Sequence, residues 1–82
     1  MPMVFRQEGF DVMIYTLEHE PEHVHVWKAG KEVVINLRNV NQAPYICTNN
    51  GMSNQDKKKA LKIAAANQDF LLAAWERFHG NT

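Results

Sequence analysis

A single cysteine, Cys47, among 82 residues excludes an internal disulfide and leaves one thiol, which is expected to sit as a small buried hydrophobe. Apolar runs are short as well: none approaches the roughly 20 residues of a membrane-spanning helix. Met1-Pro2-Met3 opens straight into a strand-like segment without the pattern of a secretory leader, so a cytoplasmic protein is expected. Net charge is zero, and nothing in the overall balance argues for nucleic acid. Repeats and low-complexity segments are missing too. At 45% hydrophobic and 22% charged, the composition excludes a disordered chain. Residues 1–82 therefore make one domain with a small core, since a chain of this length hides only about 60% of the surface its unfolded form exposes.

Charge is unevenly placed along the chain. From Met1 to Asn36, Arg6, Lys28 and Lys31 face six acidic residues, whereas from Leu37 onward six basic residues face three acidic ones. The later excess sits mostly in Lys57, Lys58, Lys59 and Lys62, which read either as the solvated face of a helix or as a phosphate-binding patch.

Hydrophobic periodicity sets out the elements. Val4-Phe5-Arg6 is a short edge strand, Gly9 supplies a turn, and Phe10 to Tyr15 alternates as a second strand. Thr16 to Glu22 is a polar connection. A third strand runs from His23 to about Lys28, and Ala29-Gly30 followed by Val33-Val34-Ile35 is a hairpin signal. A two-residue loop sets Val26 opposite Val33 and Val24 opposite Ile35; a slip by one residue would put Glu32 on the apolar face. Residues 38–52, rich in asparagine, read as a loop with Tyr45-Ile46-Cys47 as its hydrophobic anchor. Ser53 is a good N-cap with Asp56 three residues on, and the helix it starts is expected to bury Leu61, Ala64 and Ala65. Asn67-Gln68-Asp69 marks a break before a second helix carrying Phe70, Leu71, Ala74, Trp75 and Phe78, ended by Gly80; the alternative is one continuous helix, since Leu61, Ala64, Gln68, Leu71, Trp75 and Phe78 keep a three-four spacing, but Gln68 in that apolar seam favours the break. The expected fold is α+β: residues 1–37 form an antiparallel sheet of three to four strands, and residues 53–80 form two C-terminal helices packed on one face.

The densest chemistry is His19 to Val26, HEPEHVHV, which holds three of the four histidines. Pro21 keeps Glu20 out of the helical region, and the following alternation places His23, His25 and Trp27 on the sheet face away from Val24 and Val26. That face is expected to be left to solvent, a loop or a partner.

The opening MPMVFRQEGFDVMIY, the HEPEHVHV core, the Gly51-Met52-Ser53 entry to the helix and the leucine-rich end with Trp75 together resemble the DUF4160 family of small proteins of unknown function. The resemblance covers nearly the whole chain, with Glu22 standing where the family usually has a second proline and with a longer stretch between Leu37 and Gly51. It implies a regulatory protein of a toxin-antitoxin-like module, acting through a small DUF2442-like protein partner or as a homodimer. The histidine face or an exposed strand edge would be the contact.

The histidines admit three accounts. As metal ligands, His23 and His25 at i and i+2 can converge on one divalent ion such as zinc, with His19, Glu20 or Glu22 completing the shell from the turn; His19, His23 and His25 are the candidate set. As catalysts, His23 and His25 could act as base and acid in RNA cleavage, with Lys28, Lys31 or Arg6 steadying the phosphate. As structural residues, their ring nitrogens would bond Glu20, Glu22, Asn36 or backbone and tie the turn to the sheet. Trp75 and Phe78 are expected in the core, and His79 suits the end of a helix, where a cation is favoured.

Overall fold

The computed structural model describes residues 3–19, 21–38 and 41–79. Strand β1 (Met3–Gln7) turns back through Glu8 and Gly9, both at positive φ, into β2 (Phe10–Met13), with Phe5 opposite Val12. Strand β3 (His23–Lys28) pairs with β2 on one side and with β4 (Lys31–Asn36) on the other. The turn between β3 and β4 is the two-residue form, with Ala29 at φ 52° and Gly30 at φ 78°. Two consecutive left-handed residues match the twist of the flanking strands. Val26 stands opposite Val33 and Val24 opposite Ile35, the register that apolar pairing demands.

A fifth strand, β5 (Tyr45–Asn50), pairs antiparallel with β4, so the sheet has five strands in the order β1-β2-β3-β4-β5 and not three to four. Much of the segment expected as a loop over 38–52 is therefore sheet. The reason it does not read as one is a bulge: Val34 pairs with Thr48 but Ile35 with Ile46, leaving Cys47 extra and breaking the period of two. Two asparagines at its end add turn-forming residues to a strand. Cys47 is exposed, contrary to the buried position expected of it, because the bulge lies on the outermost strand.

Gly51 turns the chain off β5 at φ 93°, and Ser53 caps α1 (Asn54–Ala66) by accepting a bond from the Asp56 backbone N–H at 3.1 Å. Replacing Ser53 with alanine is expected to cost about 1 kcal/mol, read as a fall in the urea midpoint with an unchanged slope. Asn67 ends α1, and α2 (Gln68–His79) begins at the next residue, so the helix breaks where Gln68 interrupts the apolar seam. The buried face of α1 is Ala60, Ile63 and Ala64; Leu61 is half-buried and Ala65 exposed, a rotation of the expected face. Gly80, expected to end α2, lies outside the described residues.

Both helices lie on one face of the sheet. Phe10, Val12, Ile14, Val24, Val26, Val33, Ile35 and Leu37 from the strand side meet Ile63, Leu71, Ala74 and Trp75 in a single core. Alternation sends His25, Trp27, Glu32 and Val34 to the opposite face. No described helix is long and apolar enough to cross a membrane.

Candidate metal centre

The site forms where the polar connection after β2 folds against the start of β3. His23 and His25 lie two residues apart on β3, and their ring centroids are 5.3 Å apart. Glu18, in the connection, brings one carboxylate oxygen between them: Oε1 is 2.7 Å from His23 Nε2 and 2.7 Å from His25 Nε2. The ligand atoms of Glu18, His23 and His25 all lie within 4.8 Å of one another.

The far nitrogen of each ring is anchored. His23 Nδ1 donates to the Pro21 carbonyl oxygen at 2.8 Å, and His25 Nδ1 meets Glu32 Oε2 at 2.6 Å. Glu32 stands diagonal to His25 across the β3–β4 pair and is itself held by Asn50 Nδ2 at 3.1 Å, from the end of β5. Metal-binding imidazoles are commonly oriented in this way, with the outer nitrogen donating to a carboxylate or a carbonyl and the inner one left for the ion.

Donor and acceptor counting shows what the arrangement requires. All four partners of the two rings, a carbonyl, the Glu32 carboxylate and the shared Glu18 oxygen twice, are acceptors, whereas a neutral imidazole carries one N–H. With each Nδ1 donating outward, two lone pairs would point at a carboxylate oxygen. A cation placed between the rings and Glu18 would take up both lone pairs. Donors about 2.0–2.1 Å from a tetrahedral ion stand roughly 3.3 Å apart, so accepting one asks Glu18 Oε1 to retreat by roughly 0.6 Å. Its position in a connection, with 38% of its side chain exposed, allows that; the His25 side chain is only 11% exposed and fixed in the sheet.

Burial is the largest influence on the Glu18 carboxyl and pushes its pKa up, but hydrogen bonds from His25 and His23, together with their charge, outweigh it and hold the group below its ordinary value of 4.5. A carboxyl depressed in the folded state adds stability above its unfolded pKa, and that addition is lost as pH falls through the folded value. The stability difference between the native chain and Glu18→Gln is thus expected to be full near neutrality in metal-free buffer and to shrink once pH drops below 4.5, as followed by urea unfolding.

The C-terminal helix reaches into the same place. His79 Nε2 lies 2.7 Å from the Glu18 backbone carbonyl oxygen and Nδ1 3.0 Å from the Trp75 carbonyl oxygen, while its ring stacks on Trp75 at 3.8 Å. Trp75 also lies 5.0 Å from the His23 ring. His79, expected only to suit a helix end, thus ties α2 to the backbone of a candidate ligand.

Of the candidate residues, the structure brings together His23 and His25 and leaves His19 out. His19 is exposed and does not join the cluster; Glu18, one residue earlier, does. Glu20 lies outside the described residues, and Glu22 contributes a backbone carbonyl to the Leu37 N–H at 3.0 Å, not a ligand atom to the cluster. The face is also less open than expected, since His25 is buried at 8% exposure. Of the basic residues expected to steady a phosphate, Arg6 pairs with Asp11 and Lys28 with Asp56, while Lys31 is exposed at the start of β4. Glu18 and His79 escape a reading by spacing because the shape of the connection brings them in. Glu32 was within reach, since the hairpin register already sets it diagonal to His25.

A family described as Domain of unknown function (DUF4160) matches residues 9–76, from the β1–β2 turn to within one turn of the end of α2. That span includes Glu18, His23, His25 and Glu32 and stops short of His79. No curated protein matches the chain, and no solved structure does.

Proposed function

The chain belongs to the DUF4160 family, and we propose that it works as a small cytoplasmic metal-binding protein, holding one divalent transition ion of the zinc type between Glu18, His23 and His25. The observation that carries this reading is the convergence of two imidazole Nε2 atoms on one carboxylate oxygen, with each Nδ1 anchored from behind. Two imidazoles and a carboxylate suit zinc, and three protein ligands leave a further coordination position for water or a small ligand. The same geometry weighs against RNA cleavage by His23 and His25. Glu18 and Glu32 face the rings and would repel a phosphodiester, and both nitrogens of each ring already have partners.

Equilibrium dialysis of the purified chain against zinc, followed by elemental analysis, tests the proposal. One ion retained per chain, with a melting temperature that rises on loading and falls with chelator, supports it. Zinc that washes out, or that leaves the melting temperature unmoved, sinks it.

A second reading, a regulatory protein of a toxin-antitoxin-like pair acting through a protein partner, is favoured by a different observation. The sheet ends in an edge strand, β5, that carries no charged residue. Unprotected edges invite another chain. In-cell cross-linking followed by mass spectrometry should recover this chain joined to one second protein in constant ratio; recovery of the chain alone would count against the reading.

A further inference from the structure

The two edges of the sheet are treated differently. At β1, Arg6 pairs with Asp11, Glu8 in the adjoining turn pairs with Lys59 at 3.1 Å, and Phe5 packs on Phe70 of α2 at 5.9 Å. Charges and a helix guard that side. At β5 the sequence carries no charged residue between Arg38 and Asp56, and five of the six strand residues are exposed.

A groove of about 370 Å³ lies between Ala43 and Pro44, which lead into β5, and the flank of α1 that carries Lys58, Leu61, Lys62 and Ala65. Leu61 and Ala65 supply the apolar wall on the α1 side, and Lys58 and Lys62 frame it. Among the described residues neither Lys58 nor Lys62 is paired with a carboxylate, unlike Lys28 and Lys59 nearby. A strand added outside β5 would lie about 4.8 Å from it, with every second side chain on the sheet face that carries the helices.

We propose that β5 and the Lys58–Lys62 flank of α1 form a docking site for an extended acidic segment of a protein partner, which adds a sixth strand to the sheet. This deepens the second reading above and rests on it. The spacing is complementary: Lys58 and Lys62, four residues apart on a helix, are separated by about 6 Å along its axis, and carboxylates two residues apart on a strand by about 6.6 Å. An apolar side chain on the same face then fills the groove beside Pro44. Main-chain bonds to β5 supply affinity and the alternate side chains supply selectivity. A second copy of this chain does not fit, because two-fold pairing of β5 with β5 would set Lys58 and Lys62 of one copy against the same lysines of the other, and like charges suppress such pairing.

The test uses short synthetic peptides with threonine at every other position, the positions between carrying Glu-Glu-Val in one peptide and Val-Glu-Glu in another, so that either strand direction is sampled. Control peptides carry lysine for glutamate. Binding of an acidic peptide is expected to slow amide hydrogen exchange in β5 and to leave β1 unchanged. The double variant Lys58→Glu/Lys62→Glu is expected to lose that binding at least tenfold and to take the lysine peptide instead. No binding by either acidic peptide, or equal binding of acidic and basic peptides, overturns the proposal. So does exchange protection confined to the His25–Trp27 face, or a dimer of the chain alone that protects β5. None of these outcomes bears on whether cross-linking finds a partner, so the site and the partner reading fail separately.

Discussion

His25→Ala is expected to abolish tight zinc binding, with an affinity loss beyond the roughly 10- to 100-fold that follows removal of an outer partner of a metal ligand. His25 is the ligand with the least freedom, buried in the central strand and held by Glu32 Oε2 at 2.6 Å. Glu32 meets the cluster through the His25 imidazole. Glu32→Gln keeps the size of the side chain and removes its charge, and is expected to fall within the 10- to 100-fold range. His19→Ala should change affinity little, since His19 is exposed and outside the cluster. Competition with a chromophoric chelator measures all three, with circular dichroism confirming that each variant stays folded. Equal losses for His19→Ala and His25→Ala would mean that the ligand set is wrong.

Trp75→Ala is expected to have the largest effect on stability. Trp75 is 3% exposed and joins the core, with its ring 5.0 Å from that of His23 and stacked on that of His79 at 3.8 Å. Truncating a buried tryptophan costs about 3–5 kcal/mol. A domain of this length has on the order of 4–12 kcal/mol in all, at 0.05–0.15 per residue. A large share of the variant should therefore be unfolded at 37 °C, and its urea midpoint should fall steeply or vanish. Phe70→Ala is the contrast on the same helix: Phe70 is 51% exposed and its loss should be small by the same measurement.

Both predictions rest on elements that differ in how plainly the sequence announces them. The hairpin of β3 and β4 is legible to the residue, because a two-residue loop at Ala29-Gly30 pairs Val26 with Val33 and Val24 with Ile35, whereas a slip by one spoils the core face. Ser53 and the break at Asn67 are legible for local reasons, a side-chain acceptor in one case and polar residues interrupting an apolar seam in the other. The fifth strand is not, since a bulge at Cys47 removes the alternation that identifies strands and its partner surface is supplied by β4. The site divides along the same line. His23 and His25 follow from the period of the strand they share. Glu18 enters through the path of an irregular connection, and His79 from 61 residues further along the chain. Such contacts are set by tertiary packing, and local spacing carries no record of them.

The stack of Trp75 on His79, and the bond from His79 to the Glu18 carbonyl, place the candidate centre at the junction of sheet and C-terminal helix. A ligand drawn from the connection, two from the central strand and an anchor from α2 give the site support from three parts of the fold. This also explains why Glu18, although the most exposed of the three ligand side chains, has a defined position.

X-ray absorption at the zinc edge of the loaded protein tests the metal centre most directly. The account predicts two imidazole scatterers and oxygen at about 2.0–2.1 Å, with one imidazole lost in His23→Ala and the spectrum unchanged in His19→Ala. A shell of oxygen alone, or an imidazole signal that survives removal of both His23 and His25, would contradict it.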